Sequence, residues 1–317
     1  MNTATLKHFC SLHATPGDEE EVFDVLLKRW KAQGLDTRQL GRYAVIAEPG
    51  ERKKADTVLL LAHADSPGFI VQSVLSQTQL EVLALGGVHP THDAELLLKT
   101  SNGKVPAHLK AASEDWTRTM PLTVTLDTPC ADVQKGDRLC WAPAWEEHET
   151  EIRSPFLDNR IGCALIADWY EANAQRFATM NVILAASAME EVNGFGANVL
   201  ANAVKADLVL VLDITYTDEK QAIRMGQGPV ITLSDASVLL SPTLRDRLLQ
   251  APVPLQTEVY NYSGTDARAF PAQGIPTPAI PVLIPTEGNH SPCEILHPAD
   301  LAAWPAALEA VAKAALL

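Results

Sequence analysis

The chain has 317 residues, 47% of them apolar and 20% charged, with a net charge of −14. That length and apolar fraction suit one large or two moderate soluble domains. The acidic balance argues against a nucleic-acid-binding surface, which needs clustered Lys and Arg, and no apolar run approaches the roughly 18 residues of a membrane span.

The N-terminal stretch Met1–Glu20 lacks the charged region followed by a long apolar core that marks a secretory signal. Cys10, Cys130, Cys140, Cys163 and Cys293 are odd in number and contain no CxxC pair, so neither a cysteine zinc site nor a redox pair is signalled. Reduced thiols in a cytoplasmic protein are the expectation.

A helix is expected from Asp18 to Ala32. Thr15-Pro16-Gly17-Asp18 supplies start chemistry, Glu19 to Glu21 fill the first turn, and Gly34 follows the end. Val22, Val25, Leu26 and Trp30 recur at helical spacing, giving one apolar face. Thr57 to Ala62 is nearly all apolar and short, which reads as a strand buried on both faces. From about Val71 to Thr150 short β-like stretches alternate with Gly86-Gly87, Asn102-Gly103 and Gly136-Asp137, the pattern of a small all-β unit. Beyond Ser154-Pro155 the expected order is helix Arg160–Phe177, strand Asn181–Ala188, helix Gly196–Val204 and strand Leu208–Asp213. Ala279 to Ile284 reads as a strand whose Pro281 favours a sheet edge. Asp300 to Ala315 reads as a closing helix, with Pro305 tolerable only near its start. Strands alternating with helices imply an α/β fold with a mostly parallel sheet flanked by helices. The expected organisation is a discontinuous catalytic domain, residues 1–70 and 151–317, carrying an inserted β domain at 71–150.

His63, Asp158, Glu191, Asp213 and His290, with Glu190 beside the third, make the ligand inventory of two adjacent divalent metals. Imidazole with carboxylate suits zinc first, with cobalt or manganese also fitting. His63 and Asp65 end a buried strand on one face, so His63 can bind metal while Asp65 holds its other ring nitrogen. Taken alone, the pair reads as turn capping. Asp158 opens a helix and alone is an N-cap; in the set, its two oxygens bridge metals. Glu190 and Glu191 end another apolar strand, where adjacent carboxylates repel and lose solvation. Glu191 can then ligate while Glu190 serves as general base. Asp213 ends a third apolar strand, and His290 lies in a loop after the last one. Open α/β sheets place ligands at the carboxyl edge of their strands, which is where three of these five converge.

AHADSPGFIV, SPFLDNRIGCAL, AMEEVNGFGA, VLDIT, YSGTDA and GNHSPCE resemble, in order, the motifs of peptidase family M42, the metallo-aminopeptidases. The resemblance implies a zinc-peptidase fold with a β insert after the His motif and a homo-oligomer acting on peptides. It also implies His63, Asp158, Glu191, Asp213 and His290 as ligands of two divalent ions, Asp158 bridging, Glu190 as base and Asp65 orienting His63. Ser66-Pro67 stands where the family usually carries Glu-Ile. The metal motifs do not identify the side chain removed, and no substrate-binding residue is assigned.

Three rivals remain open. A related two-metal deacylase shares the ligand order; a glycosidase would use Glu190 in a carboxylate pair without metal; and a non-catalytic peptide-binding protein would need neither metals nor base. His89-Pro-Thr-His92-Asp93 resembles a small metal cluster but reads as a loop, and Glu146 to Glu149 as a solvated face.

Overall fold

A computed structural model describes residues 2–317. Helices α1 (Thr3–Cys10) and α2 (Glu20–Ala32) precede strands β1 (Asp36–Leu40), β2 (Ala44–Glu48) and β3 (Thr57–His63). The chain then forms β4 (Gly68–Val74), β5 (Gln79–Leu85), β6 (Ala94–Thr100), β7 (Gly103–Leu109), β8 (Leu122–Leu126) and β9 (Arg138–Trp141). It returns through β10 (Glu146–Glu147), β11 (Ile152–Ser154), α3 (Leu157–Ala167), α4 (Trp169–Asn173), β12 (Asn181–Ser187), α5 (Phe195–Ala203) and β13 (Leu208–Tyr216). The last elements are β14 (Val230–Ser234), α6 (Pro242–Leu248), β15 (Gln256–Val259), α7 (Ala269–Ala272), β16 (Ala279–Glu287), β17 (Glu294–Leu296) and α8 (Pro298–Leu316).

The main sheet runs β1-β2-β12-β3-β13-β16-β17-β11-β10, with β14 joined to β16 and β15. Its centre, β12-β3-β13-β16, is parallel, and the other pairs are antiparallel except the parallel β14–β15. The parallel strands are apolar and buried on both faces because helices cover both. β4 to β9 close into a separate barrel, β4-β5-β8-β7-β6-β9, with its own core around Phe69 and Trp141, whose rings meet edge to face at 5.2 Å. No helix among the described residues is long and apolar enough to cross a membrane.

Three local expectations are revised. The helix expected over Arg160–Phe177 is broken: α3 ends at Ala167, α4 is short, and a 3-10 turn covers Ala174–Phe177. The carbonyls at the break are claimed by α2, with Trp30 Nε1 donating to Ile166 (2.9 Å) and Gln33 Nε2 to Ala167 (2.6 Å). Asp168 at the joint accepts from Thr5 (2.7 Å) and pairs with Arg29. Pro281 sits not at an edge but in β16, between β13 and β14. It is accommodated because β14 pairs only with Leu283 and Val282, leaving one side of the proline open. Pro305 lies well inside α8, which continues through it.

Arg160 is fully buried in α3 and donates to the carbonyls of Ala64 and Ala14, the latter at 3.0 Å. It thereby ties α3 to the end of β3. Arg160→Met should orphan the Ala64 carbonyl, the Ala14 carbonyl keeping the Ser66 amide at 3.0 Å, and cost about 1–3 kcal/mol, read as a lowered Tm in a thermal scan. An unchanged Tm would contradict that role.

Candidate metal centre

The sheet register sets the scaffold. Ser187 pairs with His63, and Val211 with Leu61, so Asp213 stands level with His63 on the neighbouring strand. Beyond β12, Met189 takes a positive φ of 61°, and the Gly194 amide closes a turn onto its carbonyl at 2.7 Å, turning Glu190 and Glu191 back over the sheet edge. Asp158 begins α3 with non-helical backbone, its amide held by the Glu294 carboxylate at 2.9 Å and its carbonyl by the Ser66 hydroxyl. His290 follows β16, also at positive φ, with its amide donated to Glu294 at 2.9 Å.

All five expected ligands meet. His63 Nε2 lies 3.1 Å from Asp158 Oδ1 and 3.4 Å from Asp213 Oδ1. His290 Nε2 lies 3.1 Å from Asp158 Oδ2 and 3.5 Å from Glu191 Oε2. The Asp158 carboxylate therefore spans two half-sites, one oxygen facing each imidazole. Ligand atoms of His63, Asp158 and Glu191 all lie within 4.8 Å of one another.

Asp65 sits differently from the expectation. The near partner of His63 Nδ1 is the Asp65 backbone carbonyl at 3.0 Å, with the carboxylate at 3.7 Å. That carboxylate instead accepts the backbone amides of Glu190 (3.0 Å) and Glu191 (3.1 Å), clamping their turn. Glu190 faces Arg268 at 2.9 Å rather than an imidazole.

The electrostatics fit a bound cation. Burial pushes Glu191 up to about 8 and Glu190 well above the usual carboxylate range. Burial also raises Asp213, while His63 and His290 outweigh burial at Asp158 and lower it. Asp158 Oδ1 and Glu191 Oε1 are buried without a properly aligned hydrogen-bond donor. Unsatisfied carboxylate oxygens beside two imidazoles form a donor set suited to a divalent ion.

A pH dependence follows. Glu19, Glu191 and Glu294 are each raised to about 8, chiefly by burial. An acid raised on folding stabilises the native state below its unfolded pKa, and that stability is lost as pH climbs through the folded value. His290 is raised to about 11, Glu191 and Asp158 outweighing burial, and likewise loses its contribution as pH rises above its ordinary 6.5. The metal-free protein should therefore lose Tm between pH of about 7 and about 9, and divalent metal should flatten that slope by replacing protons. A metal-free Tm that rises over this interval would refute the account.

The centre also uses residues that the sequence did not single out. Gly87, from the barrel's β5–β6 loop, accepts at its carbonyl from His290 Nδ1 at 3.2 Å. A Cβ there would lie 2.7 Å from that nitrogen. Gly87→Ala should displace the ring and weaken metal binding by roughly 10–100-fold, as loss of an orienting partner does; calorimetric titration with zinc measures it, and wild-type affinity would sink the idea. His89, set aside as loop, stacks on His290 with centroids 6.3 Å apart. Asp93 of the same segment instead caps Ala111 at 2.7 Å. Ser66, where the family usually carries Glu, holds the Asp158 carbonyl. Glu146 and Glu147 form an exposed strand.

The fold and the site together define a peptidase. Residues 44–305 match the family model described as M42 glutamyl aminopeptidase, and the chain belongs to that family. It is 25% identical to the glutamyl aminopeptidase of Lactococcus lactis, over 88% of this chain and 87% of that protein. It is 24% identical to the lysyl aminopeptidase of Pyrococcus furiosus, over 78% of each. The TET1 peptidase of Pyrococcus horikoshii, which can assemble into a tetrahedron or a large octahedral shell, superposes with a TM-score of 0.85 at 22% identity, over 98% of both chains.

Proposed function

We propose that this protein is an aminopeptidase that hydrolyses the first peptide bond of peptides using two divalent cations, zinc in first place. The observation that carries the reading is the Asp158 carboxylate, which presents one oxygen to His63 and the other to His290, each at 3.1 Å. His63 and Asp213 would hold one ion and His290 and Glu191 the other, Asp158 joining both. When bound, such ions polarise a carbonyl oxygen and lower the pKa of a water towards neutrality. Glu190 takes that water's proton and returns it to the leaving amine. Arg268 fixes the Glu190 carboxylate from outside the ligand set. Asp65 holds the Glu190-Glu191 turn and, through its carbonyl, the His63 ring.

The assembly that the TET1 peptidase can form supports a homo-oligomer for this chain as well. The free thiols of all five cysteines support a reducing, cytoplasmic setting. The test is to reconstitute the protein with zinc, cobalt or manganese and assay aminoacyl p-nitroanilides against their N-acetylated forms. Metal-dependent release from free amines alone is expected; a preference for blocked substrates would favour a deacylase instead.

A further inference from the structure

We infer that the cavity beside the metal centre receives a positively charged first side chain, lysine or arginine, between Asp235 and Glu258. This rests on the aminopeptidase reading and deepens it. The cavity measures about 130 Å³ and is bounded on one side by the expected metal ligands. Its other wall includes Thr215, Tyr216, Asp235, Glu258 and Thr265.

Charge bookkeeping separates two of its acids from the rest. The lining carboxylates are Asp158, Glu190, Glu191, Asp213, Asp235 and Glu258, and no Lys or Arg lines it. Two divalent ions would answer Asp158, Glu191 and Asp213, and Arg268 answers Glu190 at 2.9 Å. Glu258 is left over and Asp235 has only the shared, more distant Arg268 beside it; neither belongs to the expected ligand set.

Their placement is built rather than incidental. In the parallel pair β14–β15, Thr232 stands opposite Glu258 and Ser234 opposite Val259, so the two acids flank one stretch of ladder. Glu258 is 3% exposed, and its two oxygens accept from the hydroxyls of Thr232 (2.6 Å) and Thr215 (2.5 Å). Burial raises the Glu258 carboxyl above its ordinary range; the two hydroxyl donors oppose that rise, as would a cation placed beside it. Asp235 Oδ1 is fixed by the amides of Ser237 (2.5 Å) and Val238 (2.8 Å). That turn is stitched to the opposite loop by Ala236 N to Ser263 O at 2.8 Å and by Ser237 Oγ to Thr265 O at 3.0 Å. Gly264 is required here, because a Cβ would overlap Ser237 Oγ.

A second feature marks the cavity as a ligand site. Asn289 lines it and is only 3% exposed. Its Oδ1 accepts from Thr286 at 2.7 Å, but Nδ2 has no hydrogen-bond partner. A buried unpaired amide is costly unless a ligand's acceptor, such as the substrate carbonyl, meets it. An acidic first side chain would add one more negative charge to this wall. A leucine would meet Ile214 and Leu283 but leave Glu258 without a counter-charge and Asp235 with only the Arg268 it shares with Glu190.

The metal-reconstituted enzyme should be assayed on lysyl, arginyl, leucyl and glutamyl p-nitroanilides. Lysyl and arginyl substrates are expected to exceed leucyl by about tenfold or more in kcat/KM and glutamyl by about a hundredfold. Glu258→Gln and Asp235→Asn should each collapse the lysyl-to-leucyl ratio by roughly tenfold, through KM rather than kcat. Calorimetry should show L-lysine binding more tightly than L-leucine, with that difference lost in the variants. A leucyl or glutamyl preference in the unaltered enzyme overturns the inference while leaving the aminopeptidase reading intact. Equal losses on lysyl and leucyl substrates in both variants also overturn it, by showing a structural role alone. Hydrolysis of none of the four by metal-loaded enzyme removes the aminopeptidase reading and this inference together.

Discussion

Glu190→Gln is expected to keep its metals and lose its turnover, with kcat down by roughly 10²–10⁴-fold, the usual worth of a general base. The side chain is 10% exposed, contacts Arg268 at 2.9 Å, and lies outside the His63–Asp158–Asp213 and His290–Asp158–Glu191 contacts. Gln preserves its shape and can still accept from Arg268 through its amide oxygen, so the turn held by Asp65 should stand. The substitution removes only the ability to take a proton. Metal content by elemental analysis and Tm should match the parent, and the loss should fall on kcat rather than KM. Turnover within a few-fold of the parent would end the assignment of Glu190 as base, whatever became of the metals.

Asp158→Asn should have the opposite signature: both ions lost together. The two imidazoles approach the same carboxylate, so the substitution takes its charge from both half-sites and leaves an amide nitrogen, which does not ligate metal, facing one of them. The backbone should hold its course, because Glu294 grips the amide and Ser66 the carbonyl, neither of which depends on the side chain. Affinity should therefore fall by more than the roughly 10–100-fold typical of losing an outer-sphere partner. Zinc titration followed by elemental analysis gives the stoichiometry. Retention of two ions per chain at parental affinity would show that Asp158 does not join the sites.

The residues that meet at this candidate centre were legible in the sequence because they sit where short patterns end. His63 closes β3 and Glu190-Glu191 follows β12, so the strand's end announces the site; Asp213 ends an apolar run but lies inside β13, which continues to Tyr216. What stayed hidden shares one property: it depends on contacts between distant segments. The break after Ala167 is made by Trp30 and Gln33 from another helix, against the continuous helical pattern of Arg160–Phe177. Pro281 fits inside the sheet because the pairing of β14 with β16 ends at Val282, a contact between distant segments. Gly87 and His89 looked like turn residues because nothing local couples them to His290. Asp65 was expected to hold the second ring nitrogen of His63, yet its carboxylate serves two amides on a different strand connection, which spacing alone does not reveal.

The position of the ligands along the chain has a consequence for how the molecule is made. His63 precedes the barrel and His290 follows it, and the carbonyl that steers His290 belongs to the barrel between them. A chain emerging from the ribosome exposes its first imidazole long before the last exists. The proposed centre can therefore assemble only after His290 has been made and barrel and sheet have met, so that a chain stopped before that point is an inert one.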